Sequence, residues 1–220
     1  MQETDFNGIR GVIFDLDGTL IDSFEAIREG FNATLPYYGL DTLSLSETKA
    51  LVGKPLEDTF CDLIGEENAN KATAIFRKKY REVFLDMTLP LPHAVETVTT
   101  LHNRRYHLAV ATNKFGPYSR DIINHLGLDD MIAPVVGDGD GVKRKPEPDM
   151  LKKLLIDMSM TEKEAVFVGD SPIDIETGKK AGVKTIAVST GYHSREMLEE
   201  AGAETVIGNL SLLVNLISCS

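Results

Sequence analysis

The sequence predicts an α/β protein in which a doubly wound parallel sheet is interrupted by an inserted all-helical domain. Beyond Pro92, apolar runs of strand length alternate with amphipathic helical segments, the pattern of a parallel sheet covered by helices. Between residues 21 and 89 the apolar residues recur at helical spacing instead, and no convincing strand candidate is present. These two observations predict a core domain at residues 1–20 and 90–220 and a helical domain at residues 21–89.

The first predicted strand, residues 12–14 (Val-Ile-Phe), has the β-branched and aromatic side chains of a buried parallel strand. Asp15 and Asp17 follow it directly, and Gly18 opens the turn. Ligands of open α/β sheets bind at the carboxyl ends of the strands, and two neighbouring acids are costly unless they share a cation or a proton. This strand end is therefore a candidate site for chemistry. A solvated turn rich in Asp and Gly is the alternative.

Helical periodicity predicts four helices in the inserted domain, which ends at the Leu-Pro-Leu-Pro linker of residues 89–92. The predicted segments are residues 24–35, 45–51, 56–65 and 69–85.

The remaining elements alternate as a parallel sheet requires. Strands are predicted at residues 108–112, 131–136, 165–168, 184–189 and 204–207. Helices are predicted at about residues 92–104, 117–126, 147–158 and 172–181, with further helices from Ser194 and at the C-terminus.

Composition limits the possible partners. The 220 residues carry a formal net charge of −11, which disfavours nucleic acid or an anionic membrane surface as a partner. The apolar runs are far shorter than the roughly 18–20 residues that span a bilayer. Residues 1–7 are unlike a secretory signal, and Cys61 and Cys219 are too few for a disulfide framework. We therefore expect a cytoplasmic protein, as a monomer or weak homodimer.

Further polar residues fall where they can meet the acid pair. Thr112 and Asn113 close one apolar strand, and Asp170 follows another, with Asp174 on the first turn of the next helix. Lys145 stands just before a helix. If the strands are parallel, their carboxyl ends share one edge of the sheet and these groups converge. Each residue alone is more often an ordinary turn, cap or surface residue, but their joint order favours a composite site.

The acids suit phosphoryl transfer with a metal ion. Asp15 is rigidly held and can attack phosphorus as a nucleophile, while Asp17 can protonate the leaving oxygen and later take a proton from water. Several carboxylates suit Mg²⁺. We expect Asp15 and Asp170 as side-chain ligands, a backbone carbonyl near Asp17 as a third, and Asp174 as a ligand through water or as a group that orients one.

The phosphate has its own candidate partners. Thr112 and Asn113 offer hydroxyl and amide donors to phosphoryl oxygens, and Lys145 offers a positive charge. Gly18 in the turn after the acid pair is a further candidate for phosphate binding. Lys54, in a Gly-Lys-Pro break between two predicted helices of the inserted domain, is a candidate for binding a non-phosphate anion of the substrate. A solvent-facing loop lysine is the alternative reading of Lys54.

Four stretches resemble the motifs of the haloacid dehalogenase superfamily. They are D-L-D-G-T-L from Asp15, A-T-N-K from Ala111, K-P-E-P from Lys145 and V-G-D-S-P-I-D-I-E-T-G-K-K-A-G from Val168. The resemblance implies a Rossmann-like core with an inserted helical cap, and Mg²⁺-dependent phosphoryl transfer through an aspartyl-phosphate. By position in the motifs, the resemblance implies that Asp15 is the nucleophile, Asp17 the general acid/base and Thr112 the phosphate-binding hydroxyl. It likewise implies that Lys145 is the motif lysine, Asp170 the metal-binding aspartate and Asp174 its supporting partner.

Within the superfamily, the second acid favours a phosphatase, because the dehalogenases lack it. Residues 110–114, 135–148 and 189–193 resemble the phosphoglycolate phosphatase subfamily, which implies a small phosphorylated metabolite as substrate. Where that subfamily usually has Pro-x-Pro-Gly, this chain has Pro-Leu-Pro-His at residues 90–93, and residues 53–60 resemble pyrophosphatase-like and nucleotidase-like relatives. Pyrophosphatase or nucleotidase activity, a phosphomutase of the β-phosphoglucomutase type and a non-catalytic phosphate-binding regulator therefore stay open as alternatives.

Overall fold

Parallel strands form the centre of the larger part of the chain. The computed structural model describes residues 6–217, and its strands there are β1 (Gly11–Phe14), β2 (Ile21–Asp22), β3 (Leu89–Pro90), β4 (His107–Phe115), β5 (Ile132–Asp138), β6 (Ala165–Gly169), β7 (Lys184–Val188) and β8 (Thr205–Ile207). Six of these described strands form one sheet in the order β5-β4-β1-β6-β7-β8, and the pairs within it are parallel. The order reverses direction at β1, which makes the sheet doubly wound. The predicted fold class is confirmed.

Helices connect and flank these strands. Those described are α1 (Phe24–Thr34), α2 (Leu45–Leu51), α3 (Leu56–Ile64), α4 (Glu66–Val83), α5 (Ala94–Asn103), α6 (Gly116–His125), α7 (Asp149–Asp157), α8 (Pro172–Ala181), α9 (Arg195–Glu200) and α10 (Leu213–Leu216), with 3₁₀ turns at Leu35–Tyr38 and Leu210–Leu212. The chain divides into two compact units, one containing the residues up to Ile21 and from Pro90 onward, the other Asp22–Leu89.

The central position of β1 follows from its side chains, which are fully buried at Val12, Ile13 and Phe14. Backbone pairing joins β1 to β4 on one side and to β6 on the other. On one face of the sheet, Ile13 and Phe167 belong to a buried apolar cluster with the inner side of α7. That side of α7 supplies Met150, Leu151, Leu154 and Leu155. Burial of this kind contributes about 25 cal/mol for each Å² of apolar surface, so packing holds β1 firmly in place up to its carboxyl end, which Asp15 follows.

Most predicted elements are present with ends within two residues of the prediction, and the larger differences are the following. Strand β4 extends to Phe115, beyond the predicted end at residue 112, because its pairing with β5 resumes after a shift in register and reaches Asp138. Thr112 and Asn113 therefore lie within the strand instead of closing it. Helix α4 begins at Glu66, directly after Gly65 with its positive φ of +86°, and so includes a polar first turn that the apolar periodicity did not mark. Short strands also occur at the ends of the inserted segment, where β2 pairs with β3.

The unit Asp22–Leu89 is helical apart from these strand ends, and its interior is aromatic. The rings of Phe31, Phe60 and Phe76 contact one another with centroid distances of 5.0–6.1 Å in edge-on or tilted geometry. Gly30 on α1 allows this packing, because a Cβ at that position would lie 2.6 Å from the Phe76 ring. Cys61 in α3 is a free thiol, and Cys219 lies outside the described residues. No helix within residues 6–217 is long and apolar enough to cross a membrane.

We predict that Phe60→Ala lowers the free energy of unfolding of this helical unit by about 3–5 kcal/mol, the usual cost of removing a fully buried ring. Phe60 is completely buried between two other rings, so the cavity cannot close without moving them. Urea titration followed by circular dichroism measures the loss. Tyr37→Ala is the control, since that ring is 75% exposed and its removal should change stability by no more than about 0.5 kcal/mol. Equal effects of the two substitutions would contradict the aromatic core.

Candidate active site

The candidate site lies at the carboxyl ends of three neighbouring strands. Asp15 directly follows β1, and its backbone N–H donates to the carbonyl of Val168 in β6 at 2.8 Å. Asp170 directly follows β6, and Thr112 lies in β4 on the other side of β1. Since strand order reverses at β1, this is the topological switch point at which open α/β sheets bind ligands.

Lys145 is the cation at the centre of the site. Its Nζ lies 2.8 Å from Oδ1 of Asp15 and donates to Oδ1 of Asp174 at 2.6 Å. The lysine is 5% exposed, and its ammonium also lies 5.5 Å from the centre of the Phe167 ring. Two hydrogen bonds fix its backbone, because Asn113 Nδ2 donates to the Lys145 carbonyl at 3.0 Å and the Lys145 N–H donates to Asn113 Oδ1 at 2.8 Å. The Asn113 amide thus uses one of its two N–H donors to hold the lysine loop, and its expected role as a phosphate donor stays a prediction.

Asp174 is fixed by the start of α8. It occupies the third position of that helix and forms a capping box with Ser171, whose hydroxyl and backbone N–H donate to Asp174 Oδ2 at 2.6 and 3.1 Å. One carboxylate oxygen of Asp174 therefore caps the helix while the other receives the Lys145 ammonium. This fully buried acid orients the lysine, and its direct or water-mediated role toward a metal stays a prediction.

Glycines allow backbone to approach Asp170 closely. The hydroxyl of Thr19 donates to Asp170 Oδ1 at 3.0 Å. A Cβ at Gly18, whose φ is +82°, or at Gly191 would overlap Asp170 Oδ2. The Gly18 carbonyl accepts a hydrogen bond from Thr190 Oγ1 at 2.8 Å, which joins the turn after the acid pair to the loop after β7. Any larger residue at either glycine would displace the carboxylate.

Burial and mutual repulsion disturb the charges of this cluster. Burial raises the pKa of Asp15 to about 6, although the neighbouring Lys145 lowers it and Asp174 raises it further. Burial likewise raises the pKa of Asp170 well above its usual range, with added repulsion from Asp174 and Asp15. Burial lowers the pKa of Lys145, but the two acids beside it outweigh that effect and leave the value raised. One lysine faces three buried carboxylates, so the cluster lacks positive charge.

A divalent cation would supply that charge, and the residues present fit one. One carboxylate oxygen from each of Asp15, Asp170 and Asp174 lies within 4.8 Å of the others. Oδ1 of Asp15 is buried and forms an ion pair with the Lys145 ammonium. Within the described residues, however, this oxygen accepts no hydrogen bond of good geometry. Hard carboxylate oxygens at this spacing are the donor set of an oxygen-loving divalent ion.

Asp17 lies apart from the metal cluster and has its own cation. Nζ of Lys114 lies 2.8 and 3.0 Å from the two carboxylate oxygens of Asp17, and both side chains are largely buried. The expected metal contact near Asp17 stays a prediction. Lys114 was not predicted as a site residue, although it is the last residue of the A-T-N-K motif.

The remaining predicted residues have the following positions. Thr112 is buried, and its Oγ1 accepts a hydrogen bond from the Lys114 N–H at 3.2 Å, so its oxygen retains a proton to donate. Lys54 belongs to the helical unit and lies between α2 and α3. Its Nζ is 3.2 Å from Asp62 Oδ2, with both side chains about two thirds exposed. Phosphate binding by Thr112 and Gly18 and anion binding by Lys54 stay predictions.

The chain as a whole matches a known family. The family model described as haloacid dehalogenase-like hydrolase matches residues 12–188, which include β1 through β7. The chain belongs to this family. Every residue of the acid and lysine cluster falls within the matched range, and the predicted superfamily is confirmed.

Individual relatives narrow the comparison. Pyrophosphatase PpaX of Halalkalibacterium halodurans is 30% identical over 95% of this chain and 97% of its own length. A phosphoglycolate phosphatase of Rhodospirillum rubrum is 33% identical over 93% of this chain and 89% of its own. The solved structure of a phosphoglycolate phosphatase assigned by prediction, from Haemophilus somnus, superposes with a TM-score of 0.89 at 22% identity, covering 96% of this chain and 99% of that one. The structural match shows the fold, and the sequence relatives of this chain include enzymes named phosphoglycolate phosphatase and one named pyrophosphatase.

We predict that Mg²⁺ raises the melting temperature of the protein, and more so at about pH 8 than at about pH 5. The raised pKa of Asp15 means that ionising it destabilises the metal-free fold as the pH rises through about 6. Below that pH the proton competes with the metal for the same carboxylate, so the stabilisation by metal shrinks. Differential scanning fluorimetry with and without MgCl₂ measures the difference. Equal shifts at both pH values would contradict metal binding at this cluster.

The matched variant is Asp170→Asn, which removes one of the three mutually repelling carboxylates but keeps an oxygen that can accept from Thr19. It should raise the melting temperature of the metal-free protein at about pH 8 and abolish the response to Mg²⁺. Asp157→Asn is the control, because that acid lies outside the cluster and forms an ion pair with Lys153 on the protein surface.

Proposed function

We propose that the protein is a Mg²⁺-dependent phosphatase that hydrolyses a small phosphomonoester, of phosphoglycolate type, through an aspartyl-phosphate on Asp15. The observation that carries this proposal is the Lys145 ammonium held between Asp15 and Asp174, with Asp170 completing a carboxylate cluster at the end of β1. A nucleophilic acid in the centre of the sheet, a buried cation beside it and an oxygen-only metal cluster suit an anionic phosphoryl group.

In the first proposed step, a carboxylate oxygen of Asp15 attacks phosphorus while the bond to the leaving oxygen breaks. Asp17 gives its proton to that oxygen, so the product leaves as a neutral alcohol. The buried Lys145 ammonium and the Thr112 hydroxyl bind phosphoryl oxygens and oppose their negative charge. Bound Mg²⁺, held by Asp15 and Asp170 with Asp174 in support, would shield the phosphate from the attacking carboxylate.

In the second proposed step, the ionised Asp17 takes a proton from water as the water oxygen attacks the phosphorus of the aspartyl-phosphate. The bond between Asp15 and phosphorus breaks, and inorganic phosphate leaves. Asp15 is restored as a carboxylate, and Asp17 is again protonated. Asp15 and Asp17 thus complete the cycle. Each contacts a different lysine, Lys145 for Asp15 and Lys114 for Asp17.

Pyrophosphatase activity is the second candidate function, because the relative from Halalkalibacterium halodurans is named a pyrophosphatase. The site chemistry is the same, and only the leaving group differs. Nucleotidase activity would use the same cluster with a larger leaving group. A metabolite panel of phosphoglycolate, sugar phosphates, nucleotides and pyrophosphate, scored by kcat/KM, ranks these substrates directly.

Two further alternatives have distinct outcomes in such assays. A phosphomutase would transfer the phosphoryl group to a sugar phosphate, so release of inorganic phosphate without a bisphosphate activator argues against it. A non-catalytic phosphate-binding regulator would hydrolyse neither p-nitrophenyl phosphate nor any metabolite in the presence of Mg²⁺.

We propose a cytoplasmic location, without a nucleic-acid or membrane partner, for a monomer or weak homodimer. The net charge of −11 supports the absence of a nucleic-acid or anionic membrane partner, because polyanionic partners would be repelled.

We predict that Asp15→Asn abolishes phosphate release while the fold is retained. An amide is a poor nucleophile toward phosphorus, and no aspartyl-phosphate can form without the carboxylate. Phosphate release from p-nitrophenyl phosphate and phosphoglycolate measures the loss, and circular dichroism checks the fold. The wild-type protein should lose activity on complete chelation of divalent metal. Turnover by Asp15→Asn near the wild-type rate would exclude the covalent mechanism.

We predict that Lys54→Ala changes the order of preferred substrates instead of lowering all rates equally. The exposed Lys54–Asp62 pair contributes at most about 1 kcal/mol, so the ammonium can exchange Asp62 for a substrate anion at little cost. Carboxylate-bearing phosphoglycolate should lose more kcat/KM than p-nitrophenyl phosphate. Asp62→Asn removes the pair without removing the cation and serves as the control. A uniform effect across substrates would show that Lys54 does not select them.

A further inference from the structure

We infer that Lys114 is the residue that positions Asp17 for proton transfer, an inference that rests on the proposed phosphatase function. The ammonium of Lys114 contacts both oxygens of the Asp17 carboxylate, at 2.8 and 3.0 Å. The two side chains are only 8% and 14% exposed, so little water competes for either charge. A largely buried ion pair with two close contacts restricts the carboxylate far more than an exposed pair does.

The side chain is the part of Asp17 that still needs positioning. Its backbone is already fixed by the turn, in which the Gly18 N–H donates to the Ile21 carbonyl at 2.9 Å and the Leu20 N–H donates to the Leu16 carbonyl at 2.9 Å. The Lys114 ammonium restricts rotation about the side-chain bonds of Asp17, through both oxygens when the acid is ionised and through the unprotonated oxygen when it is neutral. Proton transfer depends on such alignment, because a displacement of about 1 Å can cost 10²-fold in rate.

The segment from Thr112 to Lys114 serves the whole site. Asn113 binds the backbone of Lys145, and the next residue, Lys114, binds Asp17. Successive residues of a strand point to opposite sides, so the end of β4 contacts the Lys145 backbone with one side chain and Asp17 with the next. The extension of β4 beyond its predicted end is therefore what places the second cation.

The two lysines have separate tasks. Lys145 contacts Asp15 and Asp174, two of the three acids of the carboxylate cluster, and Lys114 contacts the acid outside that cluster. When Asp17 gives its proton to the leaving oxygen, a carboxylate forms beside the Lys114 ammonium, which stabilises it. The same cation then holds that carboxylate toward the water of the second step. Lys114 acts through Asp17 and is a positioning residue.

A leaving-group comparison separates this role from a general structural one. An alkoxide leaves poorly without a proton, whereas p-nitrophenolate leaves readily as an anion and needs little help from Asp17. kcat/KM reports only steps up to transfer of the phosphoryl group to Asp15, so it isolates the first proton transfer. Lys114→Met should lower kcat/KM for phosphoglycolate by roughly 10²-fold, the scale of a lost general acid, and for p-nitrophenyl phosphate by no more than about threefold.

Three variants accompany this measurement. Lys114→Arg keeps the cation and should recover much of the activity on phosphoglycolate. Lys114→Met in an Asp17→Asn background should cause no further change in the ratio of the two substrates, because two residues that act as one unit are not additive. Lys153→Met removes the lysine of an exposed ion pair and should leave both substrates unaffected.

The outcomes distinguish this inference from the proposed function. Wild-type protein that releases no phosphate from any substrate with Mg²⁺ overturns the proposed function itself. Active wild-type protein whose Lys114→Met variant slows equally on both substrates, or on neither, overturns the role of Lys114 alone. Melting temperatures of all variants are measured alongside. If Lys114→Met does not fold, Lys114→Gln replaces it as the variant without the cation, and Lys114→Arg stays the variant that restores it.

Discussion

The buried ion pairs of Lys145 are the interaction on which the rest of this structure depends. Taking carboxylates out of water at the end of a central strand is costly, and only a nearby cation keeps the cost tolerable. Lys145 supplies it to Asp15 and Asp174 at 2.8 and 2.6 Å. Its loop is held by the Asn113 amide and Asp174 by the cap of α8, so two distant segments are committed to placing one ammonium. The positive charge still missing is what makes the cluster a cation site.

Packing and charge meet at the same strand ends. Burial of β1 between β4 and β6 brings Asp15 within reach of groups from both neighbours, and close backbone approach at Gly18 and Gly191 leaves room for the Asp170 carboxylate. The same burial that stabilises the sheet raises the pKa of Asp15 and of Asp170. A functional site of this kind is thus destabilising by itself, and the apolar cluster under β1 offsets the cost.

The sheet, its order of elements and the strand-end acids could be predicted, because periodicity and strand-end position are local properties of the chain. The particular side-chain pairings between distant residues could not be predicted. Lys114 and Asp17 are 97 residues apart, and nothing near either one marks the other as its partner. Asn113 has the right chemistry for a phosphate donor, yet its amide binds the Lys145 backbone 32 residues away. Likewise the end of β4 depends on register with β5, which no single segment encodes.

The pairing of Asp17 with Lys114 bears on which phosphate ester suits the site. Phosphate leaves pyrophosphate more readily than an alkoxide leaves an alkyl phosphate, because the pKa of phosphate is far below that of an alcohol. Pyrophosphate can therefore be split with little proton donation, while an alkyl phosphate cannot. Hydrolysis of the aspartyl-phosphate needs Asp17 as a base with either substrate, so the presence of Asp17 alone does not distinguish the two. Under the proposed function, a carboxylate oriented by a largely buried cation adds most to the harder case, and we therefore expect alkyl phosphomonoesters to be hydrolysed with higher kcat/KM than pyrophosphate.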